Sequence, residues 1–211
     1  MPASRARTAI CSAPLEWPSR PGLPTRIFTV RPSASLTRAT SSRSASSAAG
    51  EAASPAADET LRDEVARVSE ALGRTLKILV GKPGLDGHSN GAEQIAVRAR
   101  DAGMEVVYEG IRLTPSQIAR SAVDEGVHVI GLSILSGSHR ELIPDVIEAL
   151  REAGGGDIPL VLGGIIPDAD AAPLRAAGVA AVYTPKDFEL TRILLDVVGI
   201  VAERNGLAAA A

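Results

Sequence analysis

The chain has 211 residues, of which 45% are hydrophobic and only 2% aromatic, which suits one domain of ordinary size with an extension. Its single cysteine, Cys11, excludes an internal disulfide framework and a cysteine-based metal site, and no apolar run approaches the ~20 residues that cross a bilayer, so a soluble protein is expected. Residues 51–211 hold 15 basic and 24 acidic side chains, a balance that argues against nucleic acid as a partner.

Residues 1–57 consist largely of Ser, Ala, Arg and Pro and show no sustained hydrophobic period. Such a segment cannot bury enough apolar surface to offset the entropy of ordering it, so it is predicted to be disordered. Its Arg-rich, Ser-rich and acid-poor composition is that of an organelle transit peptide, and a translation start placed too far upstream is the alternative explanation. We expect a cytoplasmic location, or a mitochondrial one if the segment is a transit peptide.

From residue 58 onward, segments with helical spacing alternate with short apolar runs of strand length. The clearest helix start has Thr114 as N-cap, Pro115 at the first helical position and Gln117 completing a capping box. In chain order, the predictions are a helix at 58–73, a strand at 76–81, a helix at 90–102, a strand at 104–110, a helix at 114–126, a strand at 127–133, a helix at 140–153, a strand at 158–164, a helix at 168–177, a strand at 180–184 and a helix at 186–205.

Five near-continuous apolar strands that alternate with helices are typical of a parallel sheet covered on both faces. Right-handed crossovers leave few arrangements, and at this size we expect a flavodoxin-like (Rossmann-like) α/β fold, a doubly wound five-stranded parallel sheet with helices on both faces. The predicted division of the chain is a disordered tail at 1–57, a leading helix at 58–73, a domain at 74–204 and a second disordered tail at 205–211.

Ligands of such folds bind outside the carboxyl ends of the strands, and every predicted strand end but the second is small, glycine-containing or hydroxyl-bearing. The backbone can approach a large flat ligand closely only where Gly or Ser leaves room. The segments are Asp86-Gly87-His88-Ser89-Asn90-Gly91 after the first strand, Ser133-Ile134-Leu135 at the third, Gly163-Gly164 at the fourth and Tyr183-Thr184-Pro185 at the fifth.

His88 admits several interpretations. One is a surface loop histidine beside a helix N-cap. A second is a general base, although no nucleophile lies nearby in the sequence. A third is a zinc ligand, although the sequence has neither cysteine ligands nor His-x-x-x-His spacing. A single axial ligand to a metal already held in a macrocycle fits better, because it needs one imidazole and a carboxylate on the other ring nitrogen. Asp86, two residues earlier, could supply that carboxylate.

Three short motifs, in order and each at a predicted strand end, resemble those of the cobalamin-binding domain of the acyl-CoA mutase family. The likeness covers residues 74–202 and is greatest to the ethylmalonyl-CoA mutase branch, with methylmalonyl-CoA mutase next. The motifs are Asp86-x-His88-x-x-Gly91, Ser133-x-Leu135 and Gly163-Gly164.

The resemblance implies that adenosylcobalamin is bound with its dimethylbenzimidazole base displaced, and that His88 coordinates cobalt from below while Asp86 holds its far nitrogen. Gly91 would open the helix start for the displaced nucleotide tail, and Ser133 would hydrogen-bond the buried base. The implied cofactor-binding residues are Asp86, Gly87, His88, Gly91, Ser133, Leu135, Gly163, Gly164, Tyr183 and Thr184, and the implied metal ligand is His88.

The other histidines carry weaker expectations. His128, inside the third strand, is expected to be partly buried and hydrogen-bonded. His139, at a helix start, is expected to contact the corrin rim or to face solvent.

Mutases of this family carry out their radical rearrangement in a (β/α)8 barrel of ~250 residues, which is absent from this sequence. The resemblance therefore implies a cobalamin-carrying subunit that needs a barrel-type large subunit, is inactive alone and holds no catalytic residue itself, with neither nucleic acid nor membrane as a partner. A corrinoid carrier for methyl transfer and a stand-alone cobalamin sensor remain alternatives. A phosphoacceptor receiver fits poorly, because it needs a carboxylate where Ser133 stands.

Overall fold

The computed structural model describes residues 55–85, 87–187 and 189–207. Residues 1–54 of the predicted tail at 1–57, together with Asp86, Phe188 and residues 208–211, lie outside the described residues. Within the described ranges the chain forms one five-stranded sheet and six helices. The elements are α1 (Pro55–Leu72), β1 (Lys77–Pro83), α2 (Asn90–Asp101), β2 (Glu105–Leu113), α3 (Pro115–Asp124), β3 (Val129–Ile134), α4 (His139–Glu152), β4 (Leu160–Gly164), α5 (Asp168–Ala176), β5 (Ala181–Tyr183) and α6 (Leu190–Arg204).

The strands lie in the order β2-β1-β3-β4-β5, and every neighbouring pair is parallel. This is the flavodoxin-like order, so the predicted fold is confirmed. The order reverses direction between β1 and β3, and a doubly wound sheet opens a ligand crevice beyond the carboxyl ends of its strands at that point.

The core has two halves, one on each face of the sheet, because successive side chains of a strand point to opposite faces. Leu79 packs into the half formed with α3, α4 and α5, whereas its neighbour Ile78 packs into the half formed with α1, α2 and α6. Both side chains are at most 1% exposed. This explains why the strands read as continuous apolar runs rather than as alternating ones.

Helix α1 begins at Pro55, three residues before the predicted start, because proline suits the first turn of a helix. It buries Leu61, Val65 and Val68 in the same half of the core as α6. Asp58 then joins three helices, since it pairs with Arg98 of α2 and accepts a hydrogen bond from Thr191 of α6.

Other parts of the chain also differ from the sequence predictions. Strand β2 continues to Leu113 instead of ending at residue 110. Helix α6 begins at Leu190 rather than at residue 186, because the Asp187 carboxylate accepts hydrogen bonds from the backbone N–H and hydroxyl of Thr184 and holds a turn there. Leu207, predicted to lie in a disordered tail, is partly buried against the core.

The capping box predicted at the start of α3 is present, with the Gln117 backbone N–H donating to the Thr114 hydroxyl and the Gln117 side chain accepting from the Thr114 backbone. Among the described helices, none combines the length and the apolar character that crossing a membrane requires.

Candidate functional site

Two hollows lie at the carboxyl edge of the sheet. The first, which we call the deep cavity, has a volume of about 400 Å³ and runs between the sheet and helices α2 and α6. The second, the surface depression, has a volume of about 730 Å³ and lies between the β1–α2 loop and the start of α4. Both volumes fall in the range of small-molecule sites. Leu135 and Ile165 line both hollows, so the two are adjacent and share a wall.

Most of the residues predicted from the strand ends converge on the deep cavity. Its lining is mainly apolar and comes from β1, β3 and β4 on one side and from α2 and α6 on the other. The predicted residues that line it are Gly91, Ser133, Leu135, Gly163, Gly164, Tyr183 and Thr184.

The glycines of the deep cavity serve different physical needs. A Cβ on Gly163 would meet no atom within 4 Å, so its missing side chain leaves open space inside the cavity. A Cβ on Gly91 would lie 3.9 Å from the Ser133 hydroxyl, so these two residues face each other. Gly164 has φ of 135°, and a Cβ there would clash with the carbonyl oxygen of Ile134. The backbone conformation and the close contact with Ile134 therefore require glycine at position 164. At position 163, glycine is required only if a ligand occupies the space beside it.

Tyr183 is one of the residues that line the deep cavity, and its hydroxyl is buried. That oxygen has no hydrogen-bond partner among the described residues, and burial, followed by the nearby Asp196 and Asp187 carboxylates, raises the pKa of the phenol. A buried hydroxyl without a partner loses its interactions with water and gains nothing in return. Tyr183 thus holds a buried donor that the described residues leave unused.

Thr184, by contrast, is held by the protein itself. Its hydroxyl donates to the Asp187 carboxylate at 3.2 Å, and its backbone N–H donates to the same oxygen at 2.8 Å. These bonds fix the loop that follows β5 beside the cavity.

His88 lies on the surface depression and is exposed to solvent. The depression is apolar around it, with the Leu85 side chain 90% exposed and that of Ile165 58% exposed. Exposed aliphatic side chains beside an imidazole form a surface suited to a flat apolar ligand. Gly87, although adjacent in sequence, lines neither hollow. Asp86 lies outside the described residues, so its pairing with His88 stays a prediction.

Lys82 was not singled out from the sequence. It ends the apolar run of β1 and its side chain is completely buried. Lysine is almost never fully buried unless it is paired. The sequence did contain a signal for Lys82. It is a charged residue at the end of an apolar strand, and that strand leads directly into the loop that carries His88.

The expectation for His139 was wrong, because its side chain is 2% exposed and lines neither hollow. Its Nε2 lies 2.8 Å from a carboxylate oxygen of Asp170 in the first turn of α5, and Arg140 binds the other oxygen. These bonds, that of Arg140 first, hold the pKa of the Asp170 carboxyl below its usual value. The network joins the start of α4 to the start of α5, the two helices that follow the loops after β3 and β4.

His128 is buried and hydrogen-bonded, as expected, although it lies just before β3 rather than inside it. Its Nδ1 accepts a hydrogen bond from the Lys77 backbone N–H at 2.9 Å. Burial, followed by the nearby charge of Arg74, lowers the pKa of the imidazole. This histidine lies at the amino end of the central strand β3, away from the hollows at the carboxyl ends, and its role is structural.

The chain is similar to known cobalamin proteins. Residues 76–190 match the family model described as the B12 binding domain. Ethylmalonyl-CoA mutase of Cereibacter sphaeroides is 64% identical over 151 residues, which cover 72% of this chain and 23% of that relative. The 2-hydroxyisobutanoyl-CoA mutase small subunit of Aquincola tertiaricarbonis is 39% identical over 130 residues, which cover 62% of this chain and 95% of that relative.

Among solved structures, a cobalamin-binding protein from Desulfitobacterium hafniense superposes with a TM-score of 0.51 at 18% identity and covers 66% of each chain. At that identity the likeness supports the fold alone. The chain spans less than a quarter of the ethylmalonyl-CoA mutase relative, and it spans nearly the whole of the small subunit.

Proposed function

Because the chain belongs to the B12-binding domain family and its relatives are acyl-CoA mutases, we propose that it carries adenosylcobalamin for the carbon-skeleton rearrangement of an acyl-CoA ester such as ethylmalonyl-CoA or methylmalonyl-CoA. The observation that supports this most is the pair of adjacent hollows with a shared wall of Leu135 and Ile165. A flat macrocycle with a long tail needs such a surface and such a cavity side by side.

In this proposal the surface depression would receive the corrin ring and His88 would ligate its cobalt. His88 is exposed on the depression, and the apolar side chains of Leu85 and Ile165 flank it. Asp86 is proposed to hold the second ring nitrogen, which would fix the tautomer and raise the basicity of the ligating one. When bound, adenosylcobalamin supplies a cobalt–carbon bond whose homolysis starts radical chemistry.

The deep cavity is proposed to receive the nucleotide tail with its displaced dimethylbenzimidazole base. Gly91 and Gly163 would leave the width that a planar base needs, and Ser133, opposite Gly91, would donate a hydrogen bond to it. The Tyr183 hydroxyl, which has no partner among the described residues, would find one in a polar group of the tail. The ligand would give the Tyr183 hydroxyl a hydrogen-bond partner and would fill the open space beside Gly163.

The substrate is proposed to bind to a separate catalytic chain. The matched region is 23% of the ethylmalonyl-CoA mutase relative, so most of that enzyme lies outside the match, and the relative that matches over 95% of its length is named a small subunit. We infer a partner of the (β/α)8-barrel type that binds the acyl-CoA, and we expect this chain to have no mutase activity without it.

An absorbance titration with adenosylcobalamin tests the proposal. The unaltered chain at micromolar concentration should convert the base-on spectrum to the base-off form, and His88→Ala should lose or alter that change. His128→Asn is a matched control, because it replaces a buried histidine that lies away from both hollows. A chain that leaves the spectrum unchanged, or a His88→Ala variant that behaves as the unaltered chain does, would contradict the proposed ligation.

A further inference from the structure

The carboxyl end of the edge strand β2 departs from regular pairing. Between Val80 and Pro83 of β1, the partner residues run from Tyr108 through Gly110 to Leu113, so β2 carries two extra residues over this short stretch. Each extra residue is a β-bulge, and bulges bend an edge strand and redirect its side chains. We call the segment Gly110–Leu113 the β2 rim.

The β2 rim contains backbone that is unfavourable for the residue it holds. Gly110 has φ of 84°, which glycine adopts freely, but Arg112 has φ of 62° and is the one non-glycine residue with positive φ in the described part of the chain. A left-handed conformation brings Cβ close to the backbone and costs free energy for any residue that has one. A glycine at position 112 would avoid that cost.

Nothing within the described structure compensates for the strain at Arg112. The Arg112 side chain is exposed, and within the described residues it makes no hydrogen bond or ion pair. Strained backbone of this kind is found where function requires a side chain at a particular place. The exposed guanidinium of Arg112 is therefore available to a group outside the described residues.

The β2 rim lies at the same edge of the sheet as the surface depression. The Gly84 backbone N–H donates to the Leu113 carbonyl at 3.1 Å, which ties the rim to the loop that carries exposed Leu85. On the rim itself, Ile111 is 36% exposed. An arginine beside exposed aliphatic side chains is the composition of a protein interface rather than of ordinary surface.

We propose that the β2 rim docks the catalytic chain of the mutase and that Arg112 pairs with an acidic side chain of that chain, an inference that rests on the proposed function. The occupant follows from a relative, because the protein matched over 95% of its own length is named a small subunit, and a small subunit has a larger partner. A second copy paired strand to strand is disfavoured, since bulges interrupt the hydrogen-bonding row that such pairing uses.

Thermal unfolding tests the strain without any partner. Arg112→Gly and Arg112→Asn both accept positive φ, and Arg112→Gly is expected to raise Tm by about 1–3 °C. Arg151→Ala, in the last turn of α4, is the control and should leave Tm unchanged. A fall in Tm for both Arg112 variants would show that the side chain stabilises the isolated fold, and it would overturn the inference.

A binding titration tests the docking. The probe is Cereibacter sphaeroides ethylmalonyl-CoA mutase from which the 151 matched residues have been removed. We expect Arg112→Gly to weaken binding roughly tenfold and Arg112→Glu to weaken it further, while Arg151→Ala binds as the unaltered chain does. Cobalamin affinity should be the same in all four proteins.

The outcomes separate the two proposals. Equal affinity of the unaltered chain and the Arg112 variants for the probe would overturn the docking inference alone. A chain that binds cobalamin but not the probe would overturn the inference together with the proposed partner. Self-association that depends on Arg112, measured by light scattering, would assign the rim to a second copy and would also overturn it.

Discussion

Gly163 and Gly164 are adjacent in β4, and the structure predicts opposite consequences for changing them. Gly163→Leu enters open space, because a Cβ there meets no atom within 4 Å and the backbone does not require glycine. The leucine would occupy part of a cavity of about 400 Å³ that we assign to the nucleotide tail. An aromatic base of this kind buries ~150 Å² or more, which at ~25 cal/mol per Å² is about 4 kcal/mol, or roughly a thousandfold in Kd. We therefore expect cobalamin affinity to fall by up to that factor while Tm stays within ~2 °C of the unaltered chain.

Gly164→Ala is the matched comparison. Its Cβ would clash with the Ile134 carbonyl, and its φ of 135° is unfavourable for alanine, so we expect a loss of about 2–4 kcal/mol in the free energy of unfolding. The assays are urea unfolding followed by circular dichroism and cobalamin titration followed by absorbance. Gly163→Leu binding cobalamin as tightly as the unaltered chain would refute the assignment of the deep cavity to the tail. Gly163→Leu unfolding as easily as Gly164→Ala would refute the open space beside Gly163.

Three further predictions concern polar groups. Tyr183→Phe removes a hydroxyl with no partner among the described residues, so Tm of the free chain should not fall, while cobalamin affinity should drop about three- to tenfold in the absorbance titration. Burial lowers the pKa of His128, and protonation would place a second donor against the Lys77 backbone N–H. Stability should therefore be full above about pH 6.5 and should decrease as the pH falls through the lowered pKa; urea unfolding between pH 5 and pH 8 checks this, and His128→Asn should flatten the dependence. The pKa of Asp170 is lowered by Arg140 and His139, so its contribution is present above about pH 4 and is lost as the pH falls through the lowered pKa. The stability difference between the unaltered chain and Asp170→Asn should accordingly shrink from pH 7 to pH 3, and a constant difference would contradict that origin.

The fold could be predicted because its signals are local. Each strand is an apolar run bounded by turn residues, and the helix starting at Pro115 carries its own capping box. The carboxyl-end rule then placed small residues from three separate strands around one ligand site, and the structure brings Gly91, Ser133 and Gly163 together at the deep cavity. Local patterns combined with one topological rule were sufficient for this part of the site.

What could not be predicted depends on contacts between distant segments. The burial of His139 follows from Asp170, 31 positions later, and nothing near either residue indicates the pairing. The continuation of β2 through two bulges depends on its pairing with β1, which apolar periodicity does not detect. The unpartnered state of the Tyr183 hydroxyl is likewise a property of its surroundings in space.

The central claim is that His88 binds the cobalt of a cobalamin whose own base lies in the deep cavity. Electron paramagnetic resonance of the bound cob(II)alamin tests it directly, because the nucleus of the axial nitrogen splits the cobalt signal. With protein whose histidines alone carry the heavy nitrogen isotope, we predict the splitting pattern of that isotope, lost in His88→Ala and retained in His128→Asn. The pattern of ordinary nitrogen, which would come from the cofactor's own base, would contradict the claim.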